Sequence, residues 1–438
     1  MIKETNLIFD GPHKGCYGNF DFYSSGCSPY LLEHILNFIE QKKFELKEVS
    51  IALYLFNNKI LFEKLKNLSE MGVVINIISI PLEGYDVKTA KKIINSQRVP
   101  EYENVSKLDL AKEVYYEASN TNENFHFYFY DHVYLRSNKV KNFSRGKAPY
   151  SMHIKSFFFE LKDASSYICL SSSNFVVRDL VKEELLFTFK NDESTHKSFK
   201  LFFKALLLNS TLKNNYQVKN ILSKSHLQTP EESNNRITNF YTAPFFYKSP
   251  INARGYIGRI IRDAKHHVYI VAQHVTEFMN ELISIKDQNI DINILSQTYI
   301  DNSFCKKGTW DDYVTINGVD HKCRAPSNTQ KFLEFVNSFQ EKNIGNYYFN
   351  VNVHLKFIVV DNTIIISTGN FTETQFTFDP RVEIDKFINI PDAKYSGTFA
   401  EVNQYIFLDN IESLANKLIQ HFKKITSLKD TFQAVTKK

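Results

Sequence analysis

The chain has 438 residues, which at roughly 100–200 residues per domain suggests two to three domains, and 43% of them are hydrophobic and 23% charged. That apolar share supplies a large core, so folding requires no disulfide framework or structural metal. The net charge of +5 excludes a histone-like or polybasic character; it admits nucleic acid or an anionic membrane surface as a partner and demands neither.

Phe (38) and Tyr (24) are plentiful while Gly (14) and Pro (11) are scarce, which favours long regular elements over a turn-rich all-β design. The five cysteines, Cys16, Cys27, Cys169, Cys305 and Cys323, form no CxxC pair and are odd in number, so neither a disulfide framework nor a zinc site is expected. The first fifteen residues are polar, without the apolar run of a signal peptide. No stretch approaches 18 consecutive apolar residues, so no membrane span is expected. A reducing, cytoplasmic setting is the expectation.

In chain order, residues 36–43 read as a short helix. "EVSIALYLF" is rich in β-branched and aromatic residues and reads as a buried strand over 49–56. "NNKILFEKLKNLSEMG" follows with Ile60, Leu61, Leu65 and Leu68 near helical spacing and Gly72 at the position of a helix-ending glycine. "VVINIISIP" is a second strand, stopped by Pro81. Strand, helix, strand implies a right-handed crossover and a parallel pair. Residues 84–150 are polar and aromatic-rich and read as an inserted loop or small subdomain.

The order then repeats. After a Ser-, Asn- and Pro-containing stretch at 222–245 that reads as a linker, "YIGRIIRDAKHH" is an amphipathic helix and "VYIVAQHV" a strand. "TEFMNELISIKDQN" is a helix and "IDINILSQT" a strand. Residues 299–347 read as a second insertion. The expected organisation is an internal duplication: a first half over 1–221, the linker, and a second half over 246–438.

Each half runs into the same frame. Residues 152–160 read "MHIKSFFFE" and residues 353–361 read "VHLKFIVVD". On a strand, residues i and i+2 share a face, so His153 projects with Lys155 and His354 with Lys356. Another apolar strand follows each frame and ends in a small-residue turn, Ser171-Ser172-Ser173-Asn174 in the first half and Ser367-Thr368-Gly369-Asn370 in the second. An imidazole, an ammonium and an amide donor converging on one point suit a phosphate: Lys and Asn hold its non-bridging oxygens, and histidine attacks phosphorus or carries a proton. The bare H-x-K string means little, since about one is expected by chance in a chain of this composition. The alternative is a pair of exposed strand-edge basic residues. What weighs against it is the agreement of two copies, in two duplicated units, each on a strand and each followed by an acidic residue and an Asn-bearing turn.

These residues resemble the phospholipase D superfamily, with its two HxK(x)4D(x)6GSxN motifs. The second copy fits closely. In the first, Glu160 replaces Asp, a serine turn replaces the glycine-led one, and five more residues separate His153 from Asn174 than separate His354 from Asn370. The resemblance covers about 30–215 and 245–425. It implies two α/β sandwich halves with mixed, largely parallel sheets, related by a pseudo-two-fold axis, with both frames lining one site. It further implies catalysis by His153, Lys155, Asn174, His354, Lys356 and Asn370, with His153 the nucleophile and His354 the acid and base. Glu160 and Asp361 are then supporting residues, and no metal or cofactor is required. A further carboxylate at the head of the next strand, Glu184 in the first half and Glu401 in the second, holds the histidine tautomer in such sites.

Three other features are weaker. His266, His267 and His274 lack acidic or Cys partners at ligand spacing and read as solvated or packing histidines. "GPHKGCYG" at 11–18 lacks the GK[ST] and preceding strand of a phosphate loop and reads as a turn. Arg145 and Lys147 precede the first frame as either a substrate-backbone contact or an ordinary loop. The expected activity is phosphodiester hydrolysis, with nucleic acid as the favoured substrate because the chain is basic and its aromatic-rich insertions suit base stacking. A phospholipase or phosphatidyltransferase is the alternative, and a non-catalytic phosphate- or nucleic-acid-binding protein the second. One chain holds both frames, so a monomer suffices for one site.

Overall fold

In the computed structural model the described residues are 5–12, 30–54, 56, 58–79, 117, 121–130, 151–175, 182–211, 237–241, 253–297, 312–316, 319–323, 327–350, 352–376 and 401–434. In the first half the elements are β1 (Asn6–Asp10), α1 (Tyr30–Lys42), β2 (Leu46–Leu53), α2 (Lys59–Glu70), β3 (Val74–Ser79), β4 (Phe125–Phe129), β5 (Ser151–Met152), β6 (Lys155–Leu161), β7 (Ser166–Ser171), β8 (Glu184–Lys190) and α3 (Glu193–Thr211). The second half has β9 (Ile237–Tyr241), α4 (Ala253–Arg262), β10 (His267–Ala272), α5 (Met279–Ile285), β11 (Asp291–Ser296), β12 (Asp312–Ile316), β13 (Val319–Cys323) and α6 (Ser327–Glu341). It continues with β14 (Asn346–Asn350), β15 (Phe357–Val360), β16 (Thr363–Ser367), α7 (Glu373–Phe376), β17 (Glu401–Val402), β18 (Gln404–Leu408), α8 (Glu412–Thr426) and β19 (Thr431–Gln433).

The duplication is visible in strand order. The first sheet runs β1-β8-β7-β6-β2-β3-β4 and the second β9-β18-β16-β15-β10-β11-β14, with β19 added beyond β14. Each sheet is mixed, as expected. The crossover strands β2, β3 and β4 are parallel, as are β10, β11 and β14. The ladders on the other side, which carry the frames, are antiparallel. The expectation of a largely parallel sheet therefore holds for the crossover side alone, because the frame strands are joined by hairpins, which can only pair antiparallel.

Two expectations of chain organisation need correction. Residues 237–241, inside the expected linker, form β9 and close the edge of the second sheet against β18. The stretches read as insertions supply β4, α6 and the first two residues of β14, so each is partly framework: β4 and β14 extend the parallel ladders, and among their described residues the β12–β13 hairpin stands apart. Their alternating aromatics, "FHFYF" and "NYYFN", are strand-like once a parallel neighbour is in place. Residues 13–18, Arg145 and Lys147 lie outside the described residues.

Period-two alternation divides the second sheet between two cores. Val268, Ile270 and Ala272 face α4, α5 and α6, whereas Tyr269 and Val271 join a core continuous with the first sheet, to which α1, α2, α3 and α8 also contribute. Helix α8 offers Ala415, Leu418, Ile419, Phe422 and Ile425 at helical spacing to that shared core. The halves are thus fused by buried apolar surface, which fixes the frames relative to each other. No helix among the described residues is long and apolar enough to cross a membrane.

Candidate active site

Each frame histidine sits in the short irregular segment just before its strand, and each is held by the opposite half. The His153 backbone N–H donates to Val402 O at 2.9 Å, and the His354 N–H donates to Glu183 O at 3.1 Å. Short parallel pairings flank both contacts, β5 with β17 and Val353 with Glu183. These two equivalent clamps bring the frames together. Lys155 and Lys356 are fully buried. Lys155 Nζ donates to His153 O at 3.1 Å and to Thr368 O of the opposite turn at 3.5 Å, and lies 3.3 Å from His153 Nε2. Lys356 Nζ donates to His354 O at 2.5 Å.

The turns that carry the asparagines are built alike. Ser173 N donates to Ser171 Oγ at 3.0 Å, and Gly369 N donates to Ser367 Oγ at 2.9 Å. After the first turn, Phe175 takes a left-handed φ of 57° and its carbonyl accepts from Asn58 Nδ2 at 3.1 Å. Asn58 also caps α2 through Leu61 N. After the second, Phe371 O accepts from Thr276 N and Glu277 N. Asn370 is buried and its Oδ1 has no hydrogen-bond partner in the structure. The five extra residues of the first frame fall in a longer β6–β7 hairpin, so the pairing next to the turn matches: Ser171 lies opposite Leu186 as Ser367 lies opposite Tyr405.

That register also assigns the carboxylates. Glu184 accepts from Ser172 Oγ and lies 2.6 Å, through Oε1, from His354 Nδ1. The residue at the equivalent position in the second half is Asn403, not Glu401. Leu185 N donates to Ser172 Oγ at 2.9 Å, and Gln404 N donates to Thr368 Oγ1 at 3.0 Å. Asn403 Oδ1 lies 3.3 Å from His153 Nδ1. Glu401, two residues earlier, still reaches the same nitrogen, with Oε2 at 3.4 Å. The two histidines therefore have different partners: a carboxylate for His354, an amide with a second-rank carboxylate for His153.

Glu160 and Asp361 stand at the far ends of their strands, away from this cluster. Glu160 is paired with Lys47 at 2.7 Å and Lys200 at 2.6 Å. Asp361 accepts from the backbone N–H of Lys265, His266 and His267 at 2.9–3.0 Å, so it ties the α4–β10 turn to the β15–β16 hairpin. Both act on the scaffold.

Electrostatics separate the histidines further. Burial, with the charges of Lys155, Lys356 and His354, holds the His153 imidazole well below its usual range, so it is neutral at neutral pH. With Lys155 Nζ next to Nε2, the proton of neutral His153 belongs on Nδ1, facing Asn403. Burial pushes the Glu184 carboxyl up to about 7 against the opposing pull of Lys356, Ser172, Lys155 and Lys182. Burial likewise raises Glu401.

Several neighbours carried no sequence signal. The Tyr54 and His153 rings meet edge to face, with centroids 5.6 Å apart and planes at 64°. His274, read from the sequence as a solvated or packing histidine, is half-buried within the fields of Lys356 and His354, and desolvation above all pushes its pKa down to about 3. His266 and His267 are solvated or packing residues at the Asp361 turn. Ser172, Thr368, Asn403 and Gln375 are small or neutral polar residues whose value lies in register alone. Among the described residues no group of three or more His, Cys, Asp or Glu is placed to hold a metal.

No protein-family model matches the sequence, and no curated protein matches it. Solved structures do. A phosphatidylserine synthase from Haemophilus influenzae Rd KW20 is similar with a TM-score of 0.50 at 10% identity, over 99% of this chain and 89% of that one. Yeast tyrosyl-DNA phosphodiesterase is similar with a TM-score of 0.40 at 10% identity, over 84% and 85%. Nuc from Salmonella typhimurium, a phospholipase D family member, matches with a TM-score of 0.30 at 14% identity, over 46% of this chain and 98% of that one.

Proposed function

We propose that this chain, which has the fold of the phospholipase D superfamily, is a phosphodiester-cleaving enzyme that works through a phosphohistidine and needs no metal. The observation that carries the reading is the pairing of a neutral His153, its Nε2 beside a buried ammonium, with a His354 held by a carboxylate 2.6 Å away. A nucleophile needs a free lone pair, and an acid needs a partner that favours its charged form. In the first step His153 Nε2 bonds to phosphorus, the bond from phosphorus to the leaving oxygen breaks, and His354 gives that oxygen its proton. In the second step His354 takes a proton from water, the water oxygen bonds to phosphorus, and the bond to His153 breaks. Lys155, Lys356, Asn174 and Asn370 stabilise the charge that builds on the non-bridging oxygens. The supporting carboxylates are Glu184 for His354 and Glu401, behind Asn403, for His153.

For substrate we propose nucleic acid, supported by the net charge of +5 and by an aromatic ring, Tyr54, beside the attacking histidine. The second reading is a phospholipid, favoured by the likeness to a phosphatidylserine synthase. The test is to incubate the protein in EDTA with plasmid, single-stranded oligonucleotide, RNA, phosphatidylcholine vesicles and a nitrophenyl phosphodiester. Cleavage of a nucleic acid supports the first reading, and head-group release from vesicles alone moves the assignment to lipid. No turnover of any of the five sinks the enzymatic reading and leaves a phosphate-binding cleft.

A further inference from the structure

We propose that Gln375 is a positioning residue that sets the tautomer of His153 by orienting the amide of Asn403. The inference rests on the proposed role of His153 as nucleophile and extends it to a residue outside the motif. An amide beside a histidine can present either its oxygen or its nitrogen, and only the oxygen supports a proton on Nδ1 and a free lone pair on Nε2. A carboxylate has two equivalent oxygens and needs no such help, so Glu184 serves His354 unaided.

Four contacts orient the fully buried Asn403: His153 and Thr368 at Oδ1, and Gln375 and the Glu401 backbone carbonyl at Nδ2. Thr368 Oγ1 accepts from Gln404 N at 3.0 Å, so its own proton is free to go to Asn403 Oδ1, 3.3 Å away. Asn403 Nδ2 donates to Gln375 Oε1 at 2.6 Å, the shortest of the amide's contacts. Gln375 hydrogen-bonds in turn to Glu401, whose carboxyl end reaches within 3.4 Å of His153 Nδ1. A carboxylate only accepts, so it turns Gln375 Nε2 toward itself and Gln375 Oε1 toward Asn403. His153, Asn403, Gln375 and Glu401 thus close a ring in which His153 Nδ1 faces two acceptors, Asn403 Oδ1 at 3.3 Å and Glu401 Oε2 at 3.4 Å. The ring has no slack on its fourth side: a Cβ on Gly369 would lie 2.4–2.5 Å from the Asn403 amide atoms.

The test uses the full chain labelled with ¹⁵N-histidine, with His153 assigned by its loss in His153→Gln. At pH 7.5 the wild type should show His153 protonated on Nδ1 and bare on Nε2. Gln375→Met, similar in length and without hydrogen bonds, should shift His153 toward the other tautomer. It should also lower kcat on a nitrophenyl phosphodiester by about 10–100-fold, the usual effect of removing an outer partner of a functional histidine, with KM little changed. Gln375→Glu, which keeps an acceptor against Asn403 Nδ2, should keep the wild-type tautomer. Should Gln375→Met fail to give a folded spectrum, Gln375→Asn, one methylene short of Asn403, makes the same test. An unchanged Nδ1-protonated His153 in the folded Met or Asn variant overturns the inference. The tautomer is read without substrate, so a protein that turns over nothing sinks the proposed function and leaves this test standing.

Discussion

Gly369→Ala tests the site at its tightest point. The added methyl carbon would meet Asn403 Cγ at 2.4 Å and its amide N and O at 2.5 Å, about 1 Å inside ordinary contact for non-bonded heavy atoms. The backbone cannot yield readily, because Gly369 N and O are both bonded to Ser367 Oγ at 2.9 Å. The yielding group is therefore Asn403, and a shift of that size breaks its 3.3 Å contacts with His153 and Thr368. Overpacking costs about 1–3 kcal/mol, and each buried hydrogen bond lost adds about 1 kcal/mol. The expected destabilisation is about 3–5 kcal/mol by the same two terms. His153 also loses its Nδ1 acceptor, so kcat on a nitrophenyl phosphodiester should fall by about 10–100-fold. Urea unfolding and steady-state kinetics measure the two effects; Ser173→Ala at the equivalent turn position adds no atoms and removes the 2.9 Å acceptor of Phe175 N, so it gives the cost of one lost hydrogen bond without the clash. A Gly369→Ala protein with wild-type stability and kcat would refute both the close contact and the place given to Asn403.

Activity should survive EDTA, because lysine and asparagine supply the charge stabilisation; loss in EDTA with recovery in magnesium would reject the mechanism. His153→Ala should abolish turnover of every substrate, and His354→Ala should lower it by about 10²–10⁴-fold, the worth of a general acid. On a nitrophenyl phosphodiester, whose leaving group needs no proton, His354→Ala should recover part of its first-step rate, and recovery by His153→Ala instead reverses the assignment. Asp361→Ala should leave kcat unchanged and cost stability: burial raises this carboxyl, but the N–H groups of His267, Lys265 and His266 outweigh it and hold the pKa below normal. A depressed native pKa contributes stability that is present above the unfolded value near 4 and is lost as pH falls through the native one. The cost of Asp361→Ala in urea unfolding should accordingly shrink between pH 7 and pH 3, and a pH-independent cost would show that the carboxylate is not what the turn needs.

The frames were legible because the same His-x-Lys, trailing acid and Asn-bearing turn stand on predicted strands in two duplicated units, an agreement that the bare string lacks. Glu184 was named by the resemblance, as a carboxylate at the head of the strand after the turn. Asn403 was not. Its place depends on which residue of β18 stands opposite the Thr368 turn, and a shift of two residues, invisible to alternation because it keeps the same face, points instead to Glu401. The roles of Glu160 and Asp361 escaped for another reason: the frame gives the distance of an acid from its lysine, not the direction the strand runs away from the site. Likewise β4 and β9 are short aromatic strands in polar surroundings, and their partners lie far away in the chain, so local pattern alone read them as insertion or linker.

Duplication made the two halves alike in backbone, and the chemistry needs them unlike. The equivalent clamps on His153 and His354 place both imidazoles by the same device. Two buried ammonium groups then act on the His153 ring, and each disfavours a proton there. Only a carboxylate within hydrogen-bond reach offsets that repulsion, and only His354 has one at 2.6 Å. His153, given an amide, stays neutral. On the proposed mechanism, a single exchange at one register position, carboxylate in the first half and amide in the second, is what separates the acid from the nucleophile.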